Sequence, residues 1–460
     1  MVGGGLHRWA RVAFVWFSAY AVAGSIACSD RTYVCESDTQ CVWQGRVGQC
    51  VSEFSVCAYP DDDCASMLRF GPYAGVFARE CVDPDVSMGS SSTGIDASTS
   101  TTGGGESSEG ATESTGGEDP PIPLPPISGD VWHVSPEGSD EGEGTADDPF
   151  ATLQRALEAA MPGDGVELAD GDYGLGAVSV RDGSADAPII VYGSADAVLH
   201  EPVADDVLRI EHDHLVIHGI SIDGLHGDPK VLSDYTDQLV VVRGTVEGTK
   251  TIEPVSSVRL LELTLRRAAD ECVRLVDHTR DTEVAGCTIV ECGVRDNEFG
   301  GTGKNGEGIY IGTSDDQWGE AGPDESRDNW IHDNTIDTRG NECVDVQEGA
   351  MLNLIEGNTC TGLRDVDSGG ISIRGNANIV RSNLVEGGEG AGIRLGGDDA
   401  GGVTYGVDNE VIGNDIRNNA GAGVKVEDEV QEAICGNVLE GNGSPTGGMF
   451  GGLFEPAEPC

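Results

Sequence analysis

Five stretches decide how this chain is read: Ile331-His332-Asp333-Asn334-Thr335-Ile336, Ile355-Glu356-Gly357-Asn358-Thr359-Cys360, Val380-Arg381-Ser382-Asn383-Leu384-Val385, Val411-Ile412-Gly413-Asn414-Asp415-Ile416 and Ile434-Cys435-Gly436-Asn437-Val438-Leu439. The asparagines stand 24, 25, 31 and 23 residues apart, each with an apolar residue three places before it. Most have another two places after, such as Ile336, Val385, Ile416 and Leu439. About ten residues later comes a second short apolar alternation: Val344-Asp345-Val346, Ile371-Ser372-Ile373, Ile393-Arg394-Leu395 and Val424-Lys425-Val426. Two apolar residues flanking one outward residue mark a strand with a single buried face.

A repeat of this length, built from short strands and Gly/Asn turns, cannot bury its apolar face alone and must stack as a solenoid. Parallel stacking brings equivalent residues to roughly 4.8 Å along the axis. The asparagines then form a column in which each side-chain amide donates to its neighbour's carbonyl. Asn also favours turns in its own right, but five occurrences in one register favour the ladder.

Composition bounds the function. The 460 residues leave room for more than one domain, and 80 Asp+Glu against 27 Lys+Arg give a net charge of −53. Such an excess argues against nucleic acid as a partner, because phosphate is repelled. Polyanionic sugars are disfavoured too, unless cations intervene.

Residues 1–27 read as an export signal: Arg8 and Arg11 precede an apolar run from Val12 to Ala27 that is short for a membrane span. Ser25-Ile26-Ala27-Cys28 resembles the lipobox of bacterial lipoproteins, with Ser25 where Leu is usual. The resemblance implies that Cys28 carries lipid and begins the mature chain, so that the membrane is touched only through that lipid. Residues 28–85 hold Cys35, Cys41, Cys50, Cys57, Cys64 and Cys81. In an exported chain, so dense and even a set reads as a disulfide module. The run through Tyr59-Pro60-Asp61-Asp62-Asp63-Cys64 resembles small cysteine-rich modules of bacterial surface lipoproteins. Residues 86–129, rich in Ser, Thr, Gly and Glu and ending in Pro120, Pro121, Pro123, Pro125 and Pro126, form a linker that stiffens toward its end.

The outer domain, residues 130–460, opens with His133-Val134-Ser135-Pro136-Glu137-Gly138-Ser139-Asp140, then Pro149-Phe150-Ala151-Thr152-Leu153 and Gly171-Asp172-Tyr173. This opening resembles the N-terminal cap of pectate-lyase-like proteins and implies an all-β, right-handed parallel β-helix. Leu153, Ala156, Leu157 and Ala160 make one helical face able to close the first coil. Leu263 and Cys287 occupy the column that later becomes asparagine. Cys435 and Cys460 are placed to staple the tail, whereas Cys272 and Cys343, two coils apart, are out of disulfide reach. A monomer is expected.

Candidate chemistry lies on the outward side of the second alternation: Arg274, Tyr310, Asp345, Ser372, Arg394 and Lys425 in one column, and Gln347 and Arg374 two places on. Glu271, Glu307 and Glu342 repeat three places before it. Three carboxylates roughly 4.8 Å apart must bind a cation, share protons or pair with arginine. Calcium is the natural cation outside the cell; unrelated solvated glutamates are the plainer reading. Insertions at 294–306, 313–328, 363–369 and 397–408 border this face and wall a groove. Trp318 in one wall can stack on a sugar or simply anchor its loop.

Residues 340–376, through Glu342, Gln347 and Ile371-Ser372-Ile373-Arg374-Gly375, resemble the active coils of chondroitinase-B and alginate-lyase polysaccharide lyases. The resemblance implies Glu342 as calcium ligand and Arg374 as the assisting arginine. It places the base, a lysine in that family, at Gln347, and an amide cannot remove a carbon-bound proton. Lys304, Asp345, Glu348 and His332 are substitutes. Three functions follow as expectations: a calcium-dependent lyase acting on an acidic polysaccharide, with Tyr310, Trp318 and Arg394 contacting sugar; a non-catalytic glycan-binding or adhesion module; or a glycoside hydrolase using Asp345 and Glu342.

Overall fold

A computed structural model of the chain describes Ile122 and residues 124–247, 251–300, 305–319, 322–428 and 430–460, with five short strands between Val42 and Phe70 and residue Val82 nearer the N-terminus. Cys28, Lys304 and the pairing of Cys35, Cys41, Cys50, Cys57, Cys64 and Cys81 lie outside the described residues. From residue 131 the chain winds as a right-handed parallel β-helix of three long parallel sheets, with eleven, ten and ten strands. Each coil gives one strand to each sheet in turn.

The register follows from the repeat. Ile331, Ile355, Val380, Val411 and Ile434 are successive partners in the first sheet. Ile336, Cys360, Val385, Ile416 and Leu439 follow one another in the second, and Val344, Ile371, Ile393 and Val424 in the third. These inward residues merge into one continuous core.

The corner between the first and second sheets explains the asparagines. The residue just before each one has positive φ: Asp333 at 52°, Gly357 at 65°, Ser382 at 55°, Gly413 at 63° and Gly436 at 66°. This left-handed residue turns the chain and aims the next side chain inward. Asn334, Asn358, Asn383, Asn414 and Asn437 are buried, and the Nδ2 of each donates to Oδ1 of the next at 2.9, 2.9, 3.0 and 2.9 Å. The ladder is therefore continuous and runs in one direction. Its head is the Cys287 backbone N–H, which donates to Asn334. Its foot is Asn437, which donates to the Pro456 carbonyl.

A second ladder stands at the preceding corner. Asn329, Asn353, Asn378 and Asn409 donate in the same sense at 3.0, 3.0 and 3.3 Å. They repeat at 24, 25 and 31 residues, five ahead of each of the first four members of the first set.

Both ends are covered. The helix Leu153–Ala159 buries Leu153, Ala156 and Leu157, and its N-cap Thr152 side chain accepts from the Arg155 N–H. At the other end Cys435 bonds Cys460. Cys272 and Cys343 do not pair with each other but with Cys292 and Cys360, each in the following coil, and Cys287 is a free, buried thiol.

The linker reading ends at residue 129, but the chain is docked on the domain from Ile122 onward. Ile190, Val216, Leu261 and Ala285 form an apolar stripe on the outer face of the first sheet, and Ile122, Leu124 and Ile127 pack on it. The Ile122 N–H also donates to Glu262 Oε1 at 2.8 Å. Ile127 lies against Gly165 and Ile122 against Gly286. The strap thus runs along the helix axis, an extended path that proline favours.

Candidate functional site

The third sheet carries the groove. Strand alternation turns one residue per coil outward, and the pairing stacks Arg209, Val241, Arg274, Tyr310, Asp345, Ser372, Arg394 and Lys425 in one column. Arg374 follows the strand Gly369–Ile373 and reaches back over Asp345.

Glu307, Glu342, Asp345 and Arg374 line one open cavity of ≈ 460 Å³, shared with Tyr310 and Gln347. A second cavity of ≈ 320 Å³ continues it toward the N-terminus and shares Gln238, Arg274 and Gln317 with it.

At the centre, Asp345 is buried, and the Gln347 side-chain amide donates to its Oδ2. Arg374 Nε lies 3.9 Å from Asp345 Oδ1 and Arg374 Nη1 lies 3.5 Å from Glu348 Oε1. The guanidinium therefore sits between two buried carboxylates, Asp345 and Glu348. Asp345 and Glu348 raise the Arg374 pKa and keep it charged. Burial raises the pKa of Asp345, against the pull of Arg374.

The glutamate column is real and longer than the sequence suggests. Glu271, Glu307 and Glu342 stack two residues before paired Val273, Ile309 and Val344, and all three are buried. Gln238 precedes them, paired with Asp206, and its amide donates to Glu271 Oε2 at 3.2 Å.

Glu307 Oε2 accepts from the Gly306 N–H at 2.9 Å, and Glu342 Oε1 accepts from the Ser368 hydroxyl. Burial and the neighbouring Glu342, Glu271 and Asp345 push Glu307 well above the carboxylate range. Burial and Asp345 push Glu342 up to about 7. Among the described residues, no three acidic, His or Cys side chains are grouped to hold a metal ion. The oxygen donors suit calcium in kind, but each glutamate turns to a partner of its own. Burial and mutual repulsion raise Glu307 and Glu342, and a carboxyl that keeps its proton lowers the repulsion along the column.

The other expected residues divide. Tyr310 is buried against Arg274, whose guanidinium lies 5.1 Å from the ring centroid, so its ring is not free to stack on sugar. Trp318 donates Nε1 to the Thr313 carbonyl at 3.0 Å and meets Tyr405 edge-on at 5.6 Å, tying two wall loops together. Arg394 faces the cavity and donates to the Gly396 carbonyl at 2.7 Å. His332 belongs to the outer face of the first sheet, where it contacts Glu283 at 3.1 Å and Asp333 at 2.7 Å. It cannot act as base in the groove.

No family model matches the chain. The uncharacterized protein YwoF of Bacillus subtilis (strain 168) is 34% identical over 107 residues, covering 21% of this chain and 23% of that protein. The chain thus spans less than a quarter of that relative. Among solved structures, the alginate lyase from Paenibacillus sp. str. FPU-7 matches with a TM-score of 0.51 and 19% identity, over 68% of this chain and 97% of that one. Pectate lyase Pel9A matches at 0.44 and 14%, over 67% of this chain and 71% of that one. The chain is a right-handed parallel β-helix protein, similar in fold to the alginate lyase.

Proposed function

We propose that the third-sheet groove binds an acidic polysaccharide outside the cell. One observation carries the reading. Among the described residues, the buried side-chain nitrogens and oxygens without a hydrogen-bond partner are Arg274 Nε, Asp345 Oδ1, Glu348 Oε2, Ser372 Oγ and Arg374 Nε; Asp345 Oδ1 and Arg374 Nε face each other at 3.9 Å, and Glu348 stands in the turn after the strand Val344–Val346. Buried polar atoms left unpaired cost roughly 1–3 kcal/mol each, so their convergence suits a polar ligand that completes them. Arg374, Arg394 and Lys425 along the same cavity supply charge for carboxylates. The likeness to an alginate lyase supports an acidic glycan.

A second reading, cleavage in the same groove, is favoured by Glu342, whose carboxyl at about 7 suits proton transfer at neutral pH. The Gln347 amide, turned to Asp345, supplies no base. Calcium forms no part of either reading, because the glutamates do not converge. Export and lipid on Cys28 complete the proposal and rest on the sequence alone; mass spectrometry of the mature N-terminus tests them.

The central test titrates the protein calorimetrically with uronic-acid oligomers and with neutral ones. Uronate binding that Arg374→Ala weakens supports the proposal, and equal affinity for neutral oligomers overturns it. Unsaturated-uronide absorbance in the product would establish elimination, and new reducing ends without it hydrolysis.

A further inference from the structure

The basic side chains of the groove fall into two groups. Arg209, Arg243 and Arg274 come from three successive coils and line the N-terminal cavity. Arg374, Arg394 and Lys425 come from three successive coils farther on and line the central cavity. The two coils between them contribute Tyr310 and Asp345 to the outward column and no cation. Six of the chain's 27 basic residues thus line the two cavities, interleaved with eleven Asp and Glu.

The N-terminal arginines keep donors free. Arg209 directs Nε and Nη2 at a single oxygen of Asp206, both at 2.8 Å, and Arg243 reaches Asp277 at 2.7 Å. A guanidinium has five N–H donors, so neither is exhausted. Arg274 makes no ion pair among the described residues, and its Nε is buried without an acceptor. It also stands where the two cavities meet.

We propose that Arg209, Arg243 and Arg274 form a distal subsite for the carboxylate or sulfate groups of an acidic glycan, so that one bound chain spans both clusters and crosses Asp345 in its interior. This rests on the acidic-glycan reading above. From Arg209 to Lys425 there are seven coil steps, roughly 34 Å at 4.8 Å each. A ligand that satisfies both clusters must therefore be a long and repeatedly charged chain. A chain end alone reaches only one. The arrangement selects internal segments of a polymer over short fragments.

The experiment titrates the full-length protein with a polyuronate too short to leave the Arg374 cluster and with one long enough to reach Arg243, followed by a sulfated chain of the longer length. The long uronate should bind the wild type more tightly than the short. The Arg243→Ala/Arg274→Ala double variant should lose about tenfold or more of its affinity for the long chain and keep its affinity for the short. Arg274→Gln, which breaks no ion pair, repeats the test should the double variant fail to fold. Comparison of the two long chains shows whether carboxylate or sulfate fits better, and a preference for either that the double variant abolishes supports the subsite. Equal binding of short and long uronate, or variants that bind the long chain like wild type, overturns the distal subsite alone. Failure of every acidic chain to bind overturns the acidic-glycan reading with it.

Discussion

The Gln347 side chain, just past the strand Val344–Val346, donates to the carboxylate of Asp345 two residues earlier, and both are buried. The amide thereby fixes one oxygen of Asp345 and leaves the other toward Arg374. Gln347→Leu removes the donor from a carboxylate that stays buried. Stability measured by denaturant unfolding should fall by roughly 1–3 kcal/mol, and Arg374 should lose its fixed position. An unchanged midpoint would show that Asp345 does not need the amide.

The glutamate column makes stability depend on pH with a definite sign. In the unfolded chain Glu342 releases its proton near 4.5, and in the folded protein it holds it to about 7, while Glu307 is shifted the same way. The stabilisation is complete below the unfolded value and is lost as pH rises through about 7. Glu283, lowered to about 2 where His332 and Arg259 outweigh burial, acts in a separate window: its contribution is lost only as pH falls from 4.5 toward 2. Melting of Glu342→Gln should therefore gain on wild type between pH 5 and pH 8. A flat difference would show that the Glu342 carboxyl is not raised in the folded protein.

Calcium should leave the melting temperature of chelator-treated protein unchanged at neutral pH. A ligand that binds only the folded state must raise it. A clear rise that Glu342→Gln abolishes would show that the three carboxylates turn to a common ion.

Asn358 occupies the middle of the first ladder. Its Oδ1 accepts from the Asn334 N–H and Nδ2, and its own Nδ2 reaches Ile331 and Asn383. Asn358→Ala leaves several buried groups unsatisfied at roughly 1–3 kcal/mol each. Asn442 ends a shorter pairing with Asn419 and is partly exposed, so Asn442→Ala should cost less. Calorimetric melting of the two variants decides, and equal losses would mean that the ladder adds little beyond turn formation.

Leu124→Asp should weaken the strap. Full burial of a leucine contributes about 1.5–3 kcal/mol, and Leu124 is only partly covered, so a loss of about 1 kcal/mol is expected. Faster amide exchange on the strands bearing Ile190, Val216 and Leu261 would report it, and unchanged exchange would show that the stripe is indifferent to its cover.

The winding and the outward column were legible because strand alternation is local: once Val344 and Val346 are inward, Asp345 must face out. The second ladder escaped although Asn329, Asn353, Asn378 and Asn409 keep the same spacing. Asn334 and its successors have apolar residues on both sides at strand spacing, a mark that the second set lacks on its N-terminal side. Glu348 was visible as a carboxylate, but its pairing with Arg374 depends on the turn after Val346, which periodicity does not fix. Gln238 and Asp206 extend the acidic column through coils too irregular in length to align by eye. The Trp318–Tyr405 contact joins two wall loops distant in sequence, and no repeat could announce it. The docked strap was read as linker because proline-rich composition describes stiffness and says nothing of what the segment lies on.

That strap changes how the domain is held. Ile122 rests beside Gly286, just past the strand Glu283–Ala285, which is the sixth of eleven in the first sheet. The polypeptide thus departs from the flank of the solenoid at mid-length, and not from its capped tip. Tension on the preceding chain would be borne as shear along the apolar stripe, with the rod lying broadside to the pull. The groove belongs to a different sheet, away from the stripe that bears the load.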